Sequence, residues 1–182
     1  NGEIMVKFSK TNNAKSGRGF SLLETLVALA ILNAAILGPI TLASNSIRSA
    51  SLSHNITTAS FLAEEAAEFI RAKREKNIYS GGDWLASLGG CAVASPCRVS
   101  MAADGEIGVV SCGGTCPPLN YDSSAGLYWY ESGSASIFTR IFTIEETKEN
   151  KEAKILVTVS WKERFLGGDQ NVRLESYISN WH

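Results

Sequence analysis

Hydrophobic and polar positions alternate in three different ways along the 182-residue chain. Residues 20–43 are almost uniformly apolar, and no charged side chain occurs anywhere in 25–47. A run this long and this apolar predicts a helix, since a strand would end within a few residues. At 1.5 Å per residue, 25–47 spans about 35 Å, enough to cross the hydrocarbon layer of a bilayer. Over 44–77 the pattern becomes amphipathic. Ile56, Ala59, Leu62, Ala66, Phe69 and Ile70 fall on one stripe, with Glu64, Glu65, Glu68, Arg71, Lys73, Arg74 and Glu75 largely off it. Asn77 and Gly81-Gly82 predict the stop. Residues 78–136 are rich in glycine and serine. Short strands are expected at 98–102, 107–111 and 127–130, the first two joined by a turn at Asp104-Gly105. In 137–182 the period is two. Strands are expected at 137–146 and 154–164, joined across 147–153. A third follows the loop Leu166-Gly167-Gly168-Asp169-Gln170. Ile155, Val157, Val159 and Trp161 share one face of the middle strand, and Val172, Leu174, Ser176 and Ile178 share one face of the last. The expected fold is α+β: a long hydrophobic N-terminal helix whose C-terminal half packs on a small antiparallel sheet.

Charge gives this layout a direction. Lys7, Lys10, Lys15 and Arg18 precede the apolar run, against the single acid Glu3, while the rest of the chain carries a side-chain charge of −4. The positive-inside rule places 1–19 in the cytoplasm and everything beyond about residue 45 outside it. An ordinary secretory signal has its small-residue cleavage site after the apolar core. Here the small residues, Gly17 and Gly19, stand before it, so cleavage after Gly19 would keep the helix. The chain starts at Asn1, and Met5 is a candidate initiator, which would make the leader 5–19. Within the helix, Gly38-Pro39 predicts a kink or local melting, because proline removes a hydrogen bond and crowds the preceding turn.

Glu24 carries the most information. A carboxylate in a membrane helix is costly unless it reaches the interface or finds a positive partner. Cleavage after Gly19 would leave the amine of Phe20 as the new terminus, four residues or about one turn from Glu24. A second copy shifted axially by one turn would bring its amine to this carboxylate.

The stretch Gly19-Phe20-Ser21-Leu22-Leu23-Glu24-Thr25-Leu26-Val27-Ala28-Leu29-Ala30-Ile31-Leu32 resembles the prepilin cleavage and methylation motif of the type IV filament superfamily, which comprises type IV pilins, minor pilins and the pseudopilins of type II secretion. The resemblance implies a prepilin peptidase that cuts between Gly19 and Phe20 and N-methylates Phe20. It gives Glu24 the task of neutralising a neighbour's N-terminus, and it implies a helix breaker near Gly38-Pro39. The stretch 62–74 and the ending Ile178-Ser179-Asn180-Trp181 are similar to minor pilins of the PilV kind. The implied partners are other pilin or pseudopilin subunits, the peptidase, an inner-membrane assembly platform and membrane lipid. The rival expectation is a single-pass anchored binding domain that keeps its leader and never polymerises.

Four cysteines, Cys91, Cys97, Cys112 and Cys116, sit within one short region. Their gaps suit disulfides of an exported domain better than a zinc site, although a metal site and free thiols remain alternatives. Of the three possible connectivities, Cys91–Cys97 with Cys112–Cys116 is the expected one. The two histidines, His54 and His182, have no obvious partners. Neither a nucleophile–histidine–acid set, nor a nucleotide loop, nor a metal-ligand cluster is apparent in the sequence, so no catalytic residue, metal or cofactor is expected. Asp104 and Asp122 read as turn residues. The mildly acidic body gives no reason to expect nucleic-acid binding.

Overall fold

The computed structural model describes residues 19–102, 105–163 and 168–181. The basic leader with Met5, Asp104 of the expected turn, the loop residues Leu166 and Gly167, and His182 lie outside them. The chain divides into two compact units, residues 1–46 and 47–182. One helix, α1 (Leu22–Tyr79), contributes to both.

In the second unit α1 buries Ala59, Leu62, Ala63, Ala66, Ala67 and Ile70. The spacing is that of one helical face, and four of the six are alanines, which let the backbone approach the sheet closely. Ile56, expected on this face, is 42% exposed, and Phe69 is only partly buried. Ala63 and Ala67 take their places, so the buried stripe is rotated from the expected one. α1 ends where Asn77 and Gly81 predict. Gly81 has φ +70°, its N–H reaches Ile78 O at 2.9 Å, and Gly82 N–H reaches Asn77 O at 3.1 Å. Glycine takes this left-handed position without the cost a Cβ would bring. The Asn77 amide then donates to Ala86 O at 2.9 Å, fixing the exit of the chain.

Among the described residues eight strands follow: β1 (Cys97–Met101), β2 (Ile107–Ser111), β3 (Asn120–Asp122), β4 (Leu127–Trp129), β5 (Ser134–Ala135), β6 (Thr139–Lys148), β7 (Glu152–Lys162) and β8 (Asp169–Ser179). The larger sheet has the order β2-β1-β6-β7-β8 and is antiparallel throughout. A smaller sheet has the order β4-β3-β5. The period-two pattern of β7 is realised: Ala153, Ile155, Val157, Val159 and Trp161 are buried while their neighbours are partly exposed. With Val99, Phe142, Ile144 and Ile178 they meet the buried helix face in one core. The fold is therefore α+β, a long apolar N-terminal helix packed against an antiparallel sheet.

Two strands fall outside the sequence expectation, β3 and β5. Both are short and polar, and each carries too few alternating positions to announce a face. The expected crossing 147–153 shrinks to 149–151, with Asn150 at φ +54°, a conformation asparagine tolerates. The cysteines pair as Cys91–Cys97 and Cys112–Cys116. The first bridge is buried, and Cys91 O accepts from Ile144 N–H at 2.6 Å, tying the loop after α1 to β6.

Candidate functional site

The sequence directs attention to the start of α1. Gly19, Phe20 and Ser21 precede the helix, and Thr25 N–H closes its first bond on Ser21 O at 3.1 Å. Thr25 Oγ1 also donates to Leu22 O at 2.8 Å. Glu24 lies in this first turn, where the positive end of the helix dipole favours a carboxylate. Phe20 is 76% exposed. Glu24 follows four residues later in the chain, and its side chain has no ion-pair partner among the described residues.

Every described residue from Gly19 to Ala50 is exposed. Within α1 an 18-residue stretch has mean hydropathy 2.2 and no buried position. Leu22, Leu23, Leu26, Leu29, Ile31, Leu32, Ile36 and Leu37 all face outward. Apolar groups point to every side of the helix here, which is the pattern of a segment surrounded by hydrocarbon or by other helices. The few polar side chains turn back on their own backbone: Asn33 Nδ2 donates to Leu29 O at 2.9 Å and Thr41 Oγ1 to Gly38 O at 2.8 Å. Both bonds reduce the cost of placing an amide or hydroxyl in hydrocarbon. By length and composition this segment is compatible with a membrane anchor.

Of the kink or local melting expected at Gly38-Pro39, the melting is not seen in α1. The helix runs unbroken through Pro39. Pro39 withdraws one N–H from the ladder, the one that would reach the carbonyl of Ala35.

The second unit contains a buried charge that the sequence reading missed. Arg140 is 1% exposed and pairs with Glu65. Its guanidinium also donates to Leu62 O at 3.1 Å and Val99 O at 3.0 Å, so α1, β1 and β6 meet on one side chain. Tyr130 Oη donates to Arg140 O at 3.1 Å, and burial pushes this phenol above its ordinary pKa of 10.0. The only hint in the sequence was an arginine at an inward position of an alternating strand. Asp122, read as a turn residue, accepts from Ser124 Oγ at 2.6 Å, Ser124 N–H at 2.9 Å and Ser132 Oγ at 3.1 Å. Chiefly through the Ser124 bonds, these hold its carboxyl below the usual 3.8. Among the described residues no group of three or more His, Cys, Asp or Glu side chains is placed to hold a metal ion. The paired cysteines point to an oxidising, non-cytoplasmic setting for the second unit.

Compared with family models, with curated proteins and with solved structures, the chain finds no match. Fold and site define a class of protein: a disulfide-bonded α+β domain carried on a helix apolar enough to cross a membrane.

Proposed function

We propose that the chain is a minor pilin or pseudopilin subunit, stored in the membrane and assembled into a type IV pilus-like filament after its leader is cut between Gly19 and Phe20. The observation that carries this reading is Glu24, a lone acid in the first turn of α1 just ahead of the charge-free, fully exposed segment 25–47. Such a helix is stable in lipid or in a bundle of its own kind. In a bundle, the carboxylate needs a positive partner, and the terminal amine of an adjacent Phe20 is a cation of the right reach. Each subunit would then offer one amine and one carboxylate at levels a turn apart, so charge neutrality favours an ordered axial stagger. The partners under this reading are other pilin or pseudopilin subunits, the prepilin peptidase, the assembly platform and lipid.

Mass spectrometry of the chain purified from a host with the processing peptidase tests the reading. A mature polypeptide beginning at N-methyl-Phe20 is expected. An intact leader in that host overturns it in favour of a non-polymerising anchored domain. Glu24→Ala is expected to remain cleaved and membrane-bound while disappearing from the sheared filament fraction.

A further inference from the structure

β8 stands at one end of the larger sheet, and its outer side is paired with no strand among the described residues. It is eleven residues long, and a free edge offers its N–H and C=O groups to a further strand. Its side chains alternate between two faces. Ser176 meets Arg71 of α1 on the inner face. Asn171, Arg173, Glu175 and Tyr177 are exposed on the outer one. Arg173 makes no hydrogen bond or ion pair among the described residues, and the residue opposite it on β7 is the uncharged Thr158. Glu175 accepts from Tyr177 Oη at 2.9 Å and lies 3.9 Å from Lys154 Nζ, an exposed contact of little strength. Charges of one sign along an edge would repel a second copy. Here the two signs stand two residues apart on one face.

We infer that β8 is a self-complementary edge, which pairs antiparallel with β8 of a second copy about a two-fold axis at Leu174. Residues directly opposite in an antiparallel pair share a face, so a symmetric pair is centred on a residue. Centring on Leu174 sets Arg173 of each copy opposite Glu175 of the other, and Asn171 opposite Tyr177. The paired stretch 171–177 lies wholly within the described residues. Centring on Arg173 or on Glu175 sets that residue against its own copy, and centring on Val172 sets Asp169 against Glu175. Like charges directly opposite are destabilising. Centring on Ser176 leaves Arg173 without an acid. The axis stands normal to the sheet, so the stretch of α1 lying on it runs in opposite directions in the two copies. The pair therefore joins copies presented by two facing surfaces, not neighbours in one. The edge and its charges belong to the second unit, and the inference does not depend on filament assembly.

The test uses the full chain in phosphatidylcholine vesicles, with protease accessibility selecting preparations in which the second unit faces out. Two vesicle populations carry different lipid dyes, and energy transfer between them reports clustering. The unaltered chain on both populations is expected to cluster them. Arg173→Glu on both should cluster at least about tenfold more slowly, and so should Glu175→Arg on both, because two attractive pairs become repulsive. Arg173→Glu vesicles mixed with Glu175→Arg vesicles should recover to within about twofold of the unaltered rate, since every pair is again opposite in sign. Amide exchange over 171–177 of the unaltered chain should slow on clustering, a readout that needs no variant. Dispersed vesicles with the unaltered chain, single variants that cluster as fast as it does, or a mixture that stays dispersed would each overturn the proposal. So would clustering that leaves amide exchange over 171–177 unchanged.

Discussion

Arg140 lies in the interior with its guanidinium shared between Glu65 and the carbonyls of Leu62 and Val99. A charge taken out of water is tolerated only when such acceptors replace hydration, and removing one partner of a buried pair costs several kcal/mol. Arg140→Met keeps much of the volume but leaves two carbonyls without their donor. Glu65 is 37% exposed and can recover water, so the loss should sit near the lower end, about 3 kcal/mol in urea unfolding. A change under 1 kcal/mol would mean that the arginine is a passenger. This contact was illegible in the sequence because its ends are 75 residues apart, and nothing local distinguishes Glu65 from the solvated acids beside it. Asp122 makes a pH-dependent contribution. Its carboxyl titrates below the ordinary 3.8 in the folded chain. The stabilisation is therefore complete above that value and is lost as pH falls through the lowered one. Asp122→Asn should melt below the unaltered protein at pH 7, and the two melting temperatures should converge as the pH is lowered below 3.8 and through the depressed titration of the folded carboxyl. A gap that persists at acid pH would show that charge is not its source.

Among the elements, the long strands were readable in advance and the short ones were not. β7 and β8 carry eleven residues each, so a period of two repeats often enough to fix both strand and face. β5 has two residues, Ser134 and Ala135, and its pairing with β3 depends on what precedes it. Gly133 has φ +97°, and a Cβ built there would collide with the backbone carbonyl of Tyr121. The small sheet thus needs a glycine for two reasons, backbone conformation and close approach. Gly133→Ala is expected to cost about 2 kcal/mol and to raise amide exchange in β3 and β5, with β7 unaffected. Gly126, also at positive φ but with open space around its α-carbon, is the control, and its alanine variant should lose only the conformational part, about 1 kcal/mol. Equal losses at the two positions would remove the steric argument. The helix shows the opposite limit of sequence reading. Its existence followed from composition, yet the buried face turned out to include Ala63 and Ala67 and to leave Ile56 outside. Alanine is too weakly apolar to mark a face by itself, and the sheet selected small residues where it lies closest.

For the molecule as a whole, two asymmetries act in the same direction. Four basic residues and one acid stand before the apolar segment, and the remaining chain, with two disulfides, carries a net side-chain charge of −4. Lys and Arg close to a membrane helix hold their side in the cytoplasm, while acidic residues contribute little to orientation. Disulfides persist on the opposite side, where thiols are not kept reduced. If both asymmetries reflect one orientation, removing the first should disturb the second. With Lys7, Lys10, Lys15 and Arg18 all replaced by glutamine, a fraction of chains should insert with the C-terminal domain in the cytoplasm. A C-terminal alkaline phosphatase fusion, active only after export, should be fully active on the unaltered chain and lose at least half its activity on the fourfold variant. In the same cells, thiol labelling before reduction should rise in proportion, because cytoplasmic copies cannot keep Cys91–Cys97 and Cys112–Cys116 oxidised. An inactive fusion on the unaltered chain would place the domain on the wrong side for the proposed subunit. Unchanged activity in the variant would assign orientation to the length of the apolar helix and the domain behind it, and not to the four basic residues.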